Sequence, residues 1–102
     1  MRLQGYLVKQ GNNLFGDWRK RWCTVRGQTL YYRKSVDSKD VLGSIPLGAC
    51  TLREVPGRRP HVFVLSVSNR QYQLQASGED DLQKWLGALK PLVKAYEPAA
   101  KK

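Results

Sequence analysis

The sequence is poor in the residues that build disulfide frameworks and metal centres. It contains two cysteines, Cys23 and Cys50, and a single histidine, His61. This set provides neither a disulfide framework nor the four-ligand pattern of a zinc site. We therefore expect no metal and no cofactor, and we interpret both cysteines as small buried apolar residues. Such cysteine usage favours a cytosolic compartment.

Long apolar runs are also missing. No stretch approaches the roughly 20 apolar residues of a membrane span, and residues 1–6 show no sign of a secretory signal. We therefore expect a cytoplasmic protein that reaches membranes only peripherally, on their cytosolic face. With 102 residues and no internal repeat, the chain fits one domain. We predict that domain over residues 1–97 and a disordered basic tail over 98–102.

Acidic residues are scarce. Eight Asp and Glu stand against 18 Lys and Arg, which gives a net charge of +10. The excess is concentrated in residues 1–39, where only Asp17 and Asp37 oppose the basic side chains. Positive charge of this kind attracts phosphate-rich or acidic partners. A generic solubilising surface is the alternative interpretation.

Seven short segments have the composition and turn-residue boundaries of β-strands. They are residues 3–9, 18–26, 29–34, 43–47, 50–55, 61–67 and 71–76. The turn at residues 27–28 predicts a hairpin between the second and third strands. Pro46 predicts that the fourth strand lies at an edge or carries a bulge, because proline cannot donate to a sheet ladder.

A helical period follows the last strand. Ser77 resembles a helix N-cap with acidic residues in the first turn behind it. The apolar stripe of the predicted helix consists of Leu82, Trp85, Leu86, Leu89, Leu92, Val93 and Tyr96. Pro91 predicts a kink or a restart. Strands followed by one amphipathic helix indicate a mainly β, α+β domain or a small barrel.

The order and spacing of six segments closely resemble the pleckstrin-homology (PH) family over about residues 3–96. These segments are Gly5-Tyr6-Leu7-Val8-Lys9, Trp18-Arg19-Lys20-Arg21-Trp22, Leu30-Tyr31-Tyr32, Ile45-Pro46-Leu47, Tyr72-Gln73-Leu74-Gln75-Ala76 and Trp85. The resemblance implies a bent antiparallel barrel of seven strands, capped by the C-terminal helix with Trp85 packed on the core. It also implies a non-enzymatic module that binds phosphoinositides.

The resemblance directs attention to the ends of the first two strands. Lys9, Arg19 and Arg21 match the family's phosphoinositide-binding pattern. Strand alternation independently places them, with Tyr32, on the face that fills the barrel. Such a cation cluster disfavours folding unless an anion binds to it. We therefore expect Lys9, Arg19, Arg21 and Tyr32 to hold a phosphoinositide headgroup, and solvated strand ends are the alternative.

Further contacts with a membrane are expected around this site. Lys20 has the opposite strand parity and would add about 1 kcal/mol of nonspecific attraction to anionic lipid. Leu14 and Phe15, in the loop between the first two strands, could enter the lipid interface or fold back onto the barrel. PH domains that bind highly phosphorylated inositides tightly often carry further basic residues in this loop, whereas here it has Asp17 and no cation. This departure from the family pattern argues against tight binding and against selectivity for a 3-phosphate.

The function predicted from the sequence is recruitment of a parent protein to phosphoinositide-containing membranes. The alternative is a protein-interaction PH domain with weak, nonspecific binding of anionic lipid, whose charge only steers encounter. Nucleic acid is not an expected partner because no RNA-recognition signature is present. Catalysis is not expected because no nucleophile motif or glycine-rich phosphate loop accompanies His61. We expect the isolated domain to be monomeric.

Overall fold

The computed structural model describes residues 3–11 and 16–99, which form one eight-stranded sheet and a helix, α1, at Glu79–Leu89. The order of strands in the sheet is β4-β3-β2-β1-β7-β6-β5-β8. The strands are β1 (Gln4–Gln10), β2 (Trp18–Arg26), β3 (Thr29–Arg33), β4 (Gly43–Pro46), β5 (Thr51–Glu54), β6 (Val62–Val67), β7 (Arg70–Gln75) and β8 (Ala95–Glu97). This architecture confirms the predicted mainly β class with one C-terminal helix.

The first seven strands lie where the composition predicts them. Antiparallel pairing connects β1 through β4 in one series and β5 through β7 in another, and β1 joins the two series by pairing with β7. Gly27 occupies the hairpin between β2 and β3 with φ +59°, a conformation that glycine adopts without a steric penalty. Pro46 ends β4, which is an edge strand as predicted.

The eighth strand is a correction to the sequence prediction, which assigned Leu92, Val93 and Tyr96 to the helical stripe. The helix ends at Leu89, and Lys90–Leu92 form a 3₁₀ turn. Pro91 lies in this turn, in agreement with the predicted restart, because proline has no N–H to continue an α-helix. The chain then extends into β8, which pairs in parallel with β5, and the Tyr96 hydroxyl donates a hydrogen bond to Glu54. Of the predicted tail, residues 100–102 lie outside the described residues.

The start of the helix also differs from the prediction. The N-cap is Gly78 rather than Ser77, and it makes no side-chain capping bond. Both the backbone N–H and the hydroxyl of Ser77 instead donate to Asp81 Oδ2, each at 3.1 Å. The predicted acidic residues of the first turn are present. The third of them, Asp81, accepts the hydrogen bonds from Ser77, and this contact takes the place of the predicted N-cap.

The core lies between the inner face of the sheet and α1. Trp85 is fully buried, as predicted, and so are Cys23 and Cys50. The helix contributes Leu82, Leu86 and Leu89 beside Trp85. Burial raises the pKa of the Cys23 thiol to about 12, so this cysteine packs as a neutral apolar group. None of the helices in residues 3–11 and 16–99 has the length and apolarity needed to cross a membrane.

Candidate functional site

Strands β1, β3 and β6 end, and strands β2, β4 and β7 begin, at one end of the sheet, which we call the barrel mouth. Lys9 is opposite Arg19 and Cys23 is opposite Tyr32 in the pairing register, while Arg21 is opposite the buried Leu7. Directly opposed residues share a face of the sheet. The inner face therefore carries Lys9, Arg19, Arg21 and Tyr32, which is the arrangement that strand alternation predicts.

Lys9 is the most enclosed cation of the mouth. Only 7% of it is exposed, and its Nζ donates a hydrogen bond to the carbonyl of Gln10 at 3.2 Å. The ammonium lies 4.8 Å from the ring centroid of Tyr32 and 5.6 Å from that of Tyr72, within the range of cation–π attraction. Burial lowers the pKa of Lys9, and repulsion by Arg70 and Arg21 lowers this pKa further.

Arg21 and Tyr32 border the same space. Arg21 is half-buried, and its Nη1 donates to the carbonyl of Lys20 at 2.9 Å. Burial raises the pKa of the Tyr32 hydroxyl, although the nearby Arg70 and Arg21 act in the opposite direction. Tyr32 is therefore a neutral hydrogen-bond donor at physiological pH. Gly43 packs so closely against its ring that a Cβ at position 43 would overlap the hydroxyl.

Arg19 differs from the other predicted site residues. Its Nη2 lies 3.2 Å from the Asp17 carboxylate, and 64% of its side chain is exposed. The charges that shift the pKa of Lys9 include Arg21 and Arg70 but not Arg19. The structure thus brings Lys9, Arg21 and Tyr32 together and leaves Arg19 at the rim, paired with an acid.

Two residues that the sequence prediction did not include also belong to this end of the barrel. The Arg70 guanidinium lies 4.7 Å from the centroid of the Tyr72 ring. Both residues line a pocket of about 120 Å³ together with Lys9, Gln10, Gly11, Asn69 and Gln71. Extending the alternation of Tyr72 and Leu74 back by one step predicts that Arg70 faces inward. We call Lys9, Arg21, Tyr32, Arg70 and Tyr72 the mouth cluster.

The predicted membrane-contact residues lie elsewhere. Lys20 is exposed on the outer face, with its Nζ 4.5 Å from the ring centroid of Tyr6. Trp22 packs edge-on against Tyr6, with ring centroids 4.8 Å apart. Leu14 and Phe15 lie outside the described residues.

The mouth cluster has the chemistry of an anion site. It combines three cations with hydroxyl donors, and no group of metal-ligating side chains is found within residues 3–11 and 16–99. Enclosed pockets that bury drug-sized ligands measure about 300–1,000 Å³, so the 120 Å³ pocket admits one phosphate-sized group rather than a whole sugar ring.

Comparison with known proteins gives a consistent family match. The family model described as PH domain matches residues 1–94. The Danio rerio protein "Differentially expressed in FDCP 6 homolog" is 36% identical over 96 residues, which cover 91% of this chain and 16% of that protein. Human cytohesin-2 is 35% identical over 72 residues, or 70% of this chain and 18% of that protein. The chain therefore spans less than a fifth of these relatives.

Solved structures show the same fold. The C-terminal PH domain of pleckstrin in complex with D-myo-Ins(1,2,3,5,6)P5 has a TM-score of 0.78 and 27% sequence identity, with 88% of this chain and 92% of that chain covered. The PH domain of human oxysterol binding protein-related protein 11 also has a TM-score of 0.78, with 22% identity over 92% of this chain and 81% of that chain.

Proposed function

This chain belongs to the PH domain family of non-catalytic modules, and from that premise we propose that it binds phosphoinositide headgroups at the barrel mouth. Through this binding it recruits its parent protein to the cytosolic face of membranes. The observation that carries the proposal is the mouth cluster, in which Lys9 is kept almost fully buried beside Arg21 and Arg70. A buried ammonium beside two like charges disfavours the folded state, and a bound phosphate relieves that repulsion.

Each residue of the cluster has a distinct proposed role. Lys9 supplies a compact charge to a phosphate in the small pocket, and Arg21 supplies a forked set of donors. The neutral Tyr32 hydroxyl donates a hydrogen bond, and Arg70 adds a second guanidinium from β7, which flanks β1 on the side away from β2. Arg19 contributes only after it releases Asp17, whose carboxylate reduces the attraction of the rim for a phosphate.

The proposed membrane contacts surround the mouth. The exposed Lys20 adds attraction to anionic lipid from the outer face, at about 1 kcal/mol. Leu14 and Phe15 remain predicted contacts with the lipid interface. The pleckstrin domain solved with an inositol pentakisphosphate supports a polyphosphorylated inositol as the ligand class for this chain.

Soluble inositol phosphates separate headgroup binding from general attraction to a membrane. We expect Arg21→Ala to weaken binding of inositol 1,4,5-trisphosphate by about 10- to 100-fold, since a hydrogen bond to a charged group contributes about 1.5–3 kcal/mol. Lys20→Ala removes an adjacent cation of the opposite face and serves as the matched control. Calorimetric titration should therefore show a large loss for Arg21→Ala and nearly unchanged affinity for Lys20→Ala. Equal losses for the two variants would contradict the proposed site.

A further inference from the structure

The outer face of β2 and β3 carries a second basic depression, which we call the outer groove. Its volume is about 260 Å³, larger than the pocket at the mouth, and its lining residues are Thr24, Arg26, Tyr31, Arg33 and Val41. Thr24 and Arg26 alternate with the inward-facing Cys23 and Val25, so the groove lies on the side of the sheet opposite the mouth cluster. Headgroup binding at the mouth therefore leaves the outer groove accessible.

Two arginines dominate the charge of the outer groove. Arg26 is exposed and Arg33 is half-buried. The ion pairs found in residues 3–11 and 16–99 join Arg19 to Asp17, His61 to Glu79 and Lys84 to Asp81, and none of them involves an arginine of the groove. The groove thus presents two guanidinium groups to an external carboxylate.

The register of β2 and β3 sets the distance between these arginines. Arg33 is opposite Trp22, and Arg26 follows Trp22 by four positions on β2. At about 3.3 Å per residue this separation is about 13 Å along the strands. The groove runs from the mouth end of the sheet to the Gly27 turn, whereas a membrane lying across the mouth would meet only one end of it.

The spacing of side chains in an extended peptide matches the separation of these two arginines along the strands. Residues i, i+2 and i+4 of a β-strand project to one side, and i and i+4 lie about 13 Å apart. Acidic side chains at i and i+4 would reach the two arginines, and residue i+2 would lie over the ring of Tyr31. Val41 also lines the groove and is 44% exposed, so the groove offers an apolar wall as well as the Tyr31 ring.

The neighbouring surface supports a peptide with apolar character. The large hydrophobic residues that are exposed in the described part of the chain are Val36, Val41 and Leu42. All three belong to the connection between β3 and β4, which borders the groove. Exposed apolar side chains beside unpaired arginines are the composition of a protein-interaction surface.

We propose that the outer groove binds an extended acidic segment of a partner protein, with acidic residues at i and i+4 and an apolar residue at i+2. Arg26 and Arg33 bind the two carboxylates, and Tyr31 with Val41 contacts the apolar side chain. The module can then hold a membrane at its mouth and a protein on its outer face at the same time. Two weak sites used together give an avidity that neither gives alone.

The test uses two peptides of equal composition and charge. The first, Ser-Glu-Ser-Leu-Ser-Glu-Ser, has the proposed spacing, and the second, Ser-Ser-Glu-Glu-Leu-Ser-Ser, has adjacent acids. In ¹⁵N-edited NMR titrations we expect the first peptide to shift the amide signals of Thr24, Tyr31 and Val41 with at least fivefold higher affinity than the second. Equal affinities, or shifts centred on Lys9 and Arg70, would overturn the proposal.

Variants then locate the binding energy and separate this proposal from lipid binding. Arg26→Ala combined with Arg33→Ala should reduce the affinity for the first peptide at least tenfold, while Arg58→Ala combined with Lys94→Ala removes the same charge without effect. Retained inositol trisphosphate binding shows that the groove variant is folded and that its mouth is intact. If the groove variant loses vesicle binding more than its control and keeps peptide binding, the groove serves a membrane and the proposal is wrong.

Discussion

Lys9 determines the character of the mouth at the scale of single residues. A lysine that is 7% exposed keeps its charge at some cost to folding, because burial and two arginines lower its pKa. Parity and the resemblance to PH domains predicted from the sequence that Lys9, Arg21 and Tyr32 lie together. Arg70 and Tyr72 were not identified, because their place beside Lys9 depends on the pairing of β1 with β7, which no local pattern specifies.

Replacing Lys9 by an uncharged residue should abolish headgroup binding and stabilise the fold. We expect Lys9→Met to lose headgroup binding and to raise the free energy of unfolding at neutral pH, because methionine fills the space without a desolvated charge. The folded-state pKa of Lys9 lies below 10.5. At every pH below that folded-state pKa, the buried ammonium therefore destabilises the wild type. The stability advantage of the variant should shrink as pH rises from there towards 10.5.

Urea unfolding of both proteins across this pH range measures the difference. Lys94→Met, a substitution of an exposed lysine, is the control and should show no such pH dependence. A Lys9→Met protein that is less stable than the wild type at neutral pH would show that the buried ammonium stabilises the fold, contrary to our account.

Pairing between elements positions the Tyr32 hydroxyl. Tyr32 on β3 is opposite Gly43 on β4, and a methyl group at position 43 would overlap the ring. We expect Gly43→Ala to push the ring away from Lys9 and to weaken inositol trisphosphate binding about tenfold, the value of about one lost hydrogen bond. Gly57→Ala, where a Cβ meets no neighbour, should leave the affinity unchanged. Calorimetry on both variants is the measurement, and unchanged affinity in Gly43→Ala would exclude Tyr32 from the site.

The first turn of α1 depends on Asp81 rather than on its cap. Burial acts to raise the pKa of Asp81, but hydrogen bonds from Ser77 and the nearby Lys84 outweigh it and lower this pKa below 3.8. We expect Asp81→Ala to lower the free energy of unfolding by about 1 kcal/mol at neutral pH, or about 4–8 °C in Tm. The folded carboxylate has the lower pKa, so this contribution is present above 3.8 and is lost as pH falls through the folded pKa.

Thermal unfolding of Asp81→Ala beside Asp80→Ala checks this role. Asp80 is exposed in the same turn, so its removal alters the helix-dipole interaction alone. Comparable losses in the two variants, or a loss in Asp81→Ala that persists at acid pH, would show that the Ser77 contacts do not stabilise the helix.

The elements themselves were largely predictable. Strand composition and turn residues located β1 to β7, and Pro91 marked the end of the helix. The eighth strand was not predictable, because Leu92, Val93 and Tyr96 continue a helical spacing and only the contact with β5 reveals their extended conformation. The N-cap was not predictable either, because a capping pattern in the sequence does not reveal that Asp81 would accept hydrogen bonds from Ser77.

Net charge acts at the scale of the whole molecule. A charge of +10 attracts any anionic surface, and salt screens that attraction. We expect binding to phosphatidylserine vesicles to fall steeply between about 50 and 200 mM salt, and binding to vesicles that contain phosphatidylinositol 4,5-bisphosphate to fall less, because the partly buried mouth is screened less. Sedimentation at several salt concentrations distinguishes general charge attraction from headgroup binding at the mouth. Identical salt dependence for the two kinds of vesicle would show that general electrostatics accounts for all of the binding.

The central claim is that a defined cluster, and not total charge, binds the headgroup. The most direct measurement is sedimentation with vesicles that contain each phosphoinositide at physiological salt, using the wild type, Lys9→Met with Arg21→Ala, and the charge-matched control Arg58→Ala with Lys94→Ala. We predict selective sedimentation that the mouth variant loses and the control retains. Equal sedimentation of the mouth variant and the control would contradict the claim.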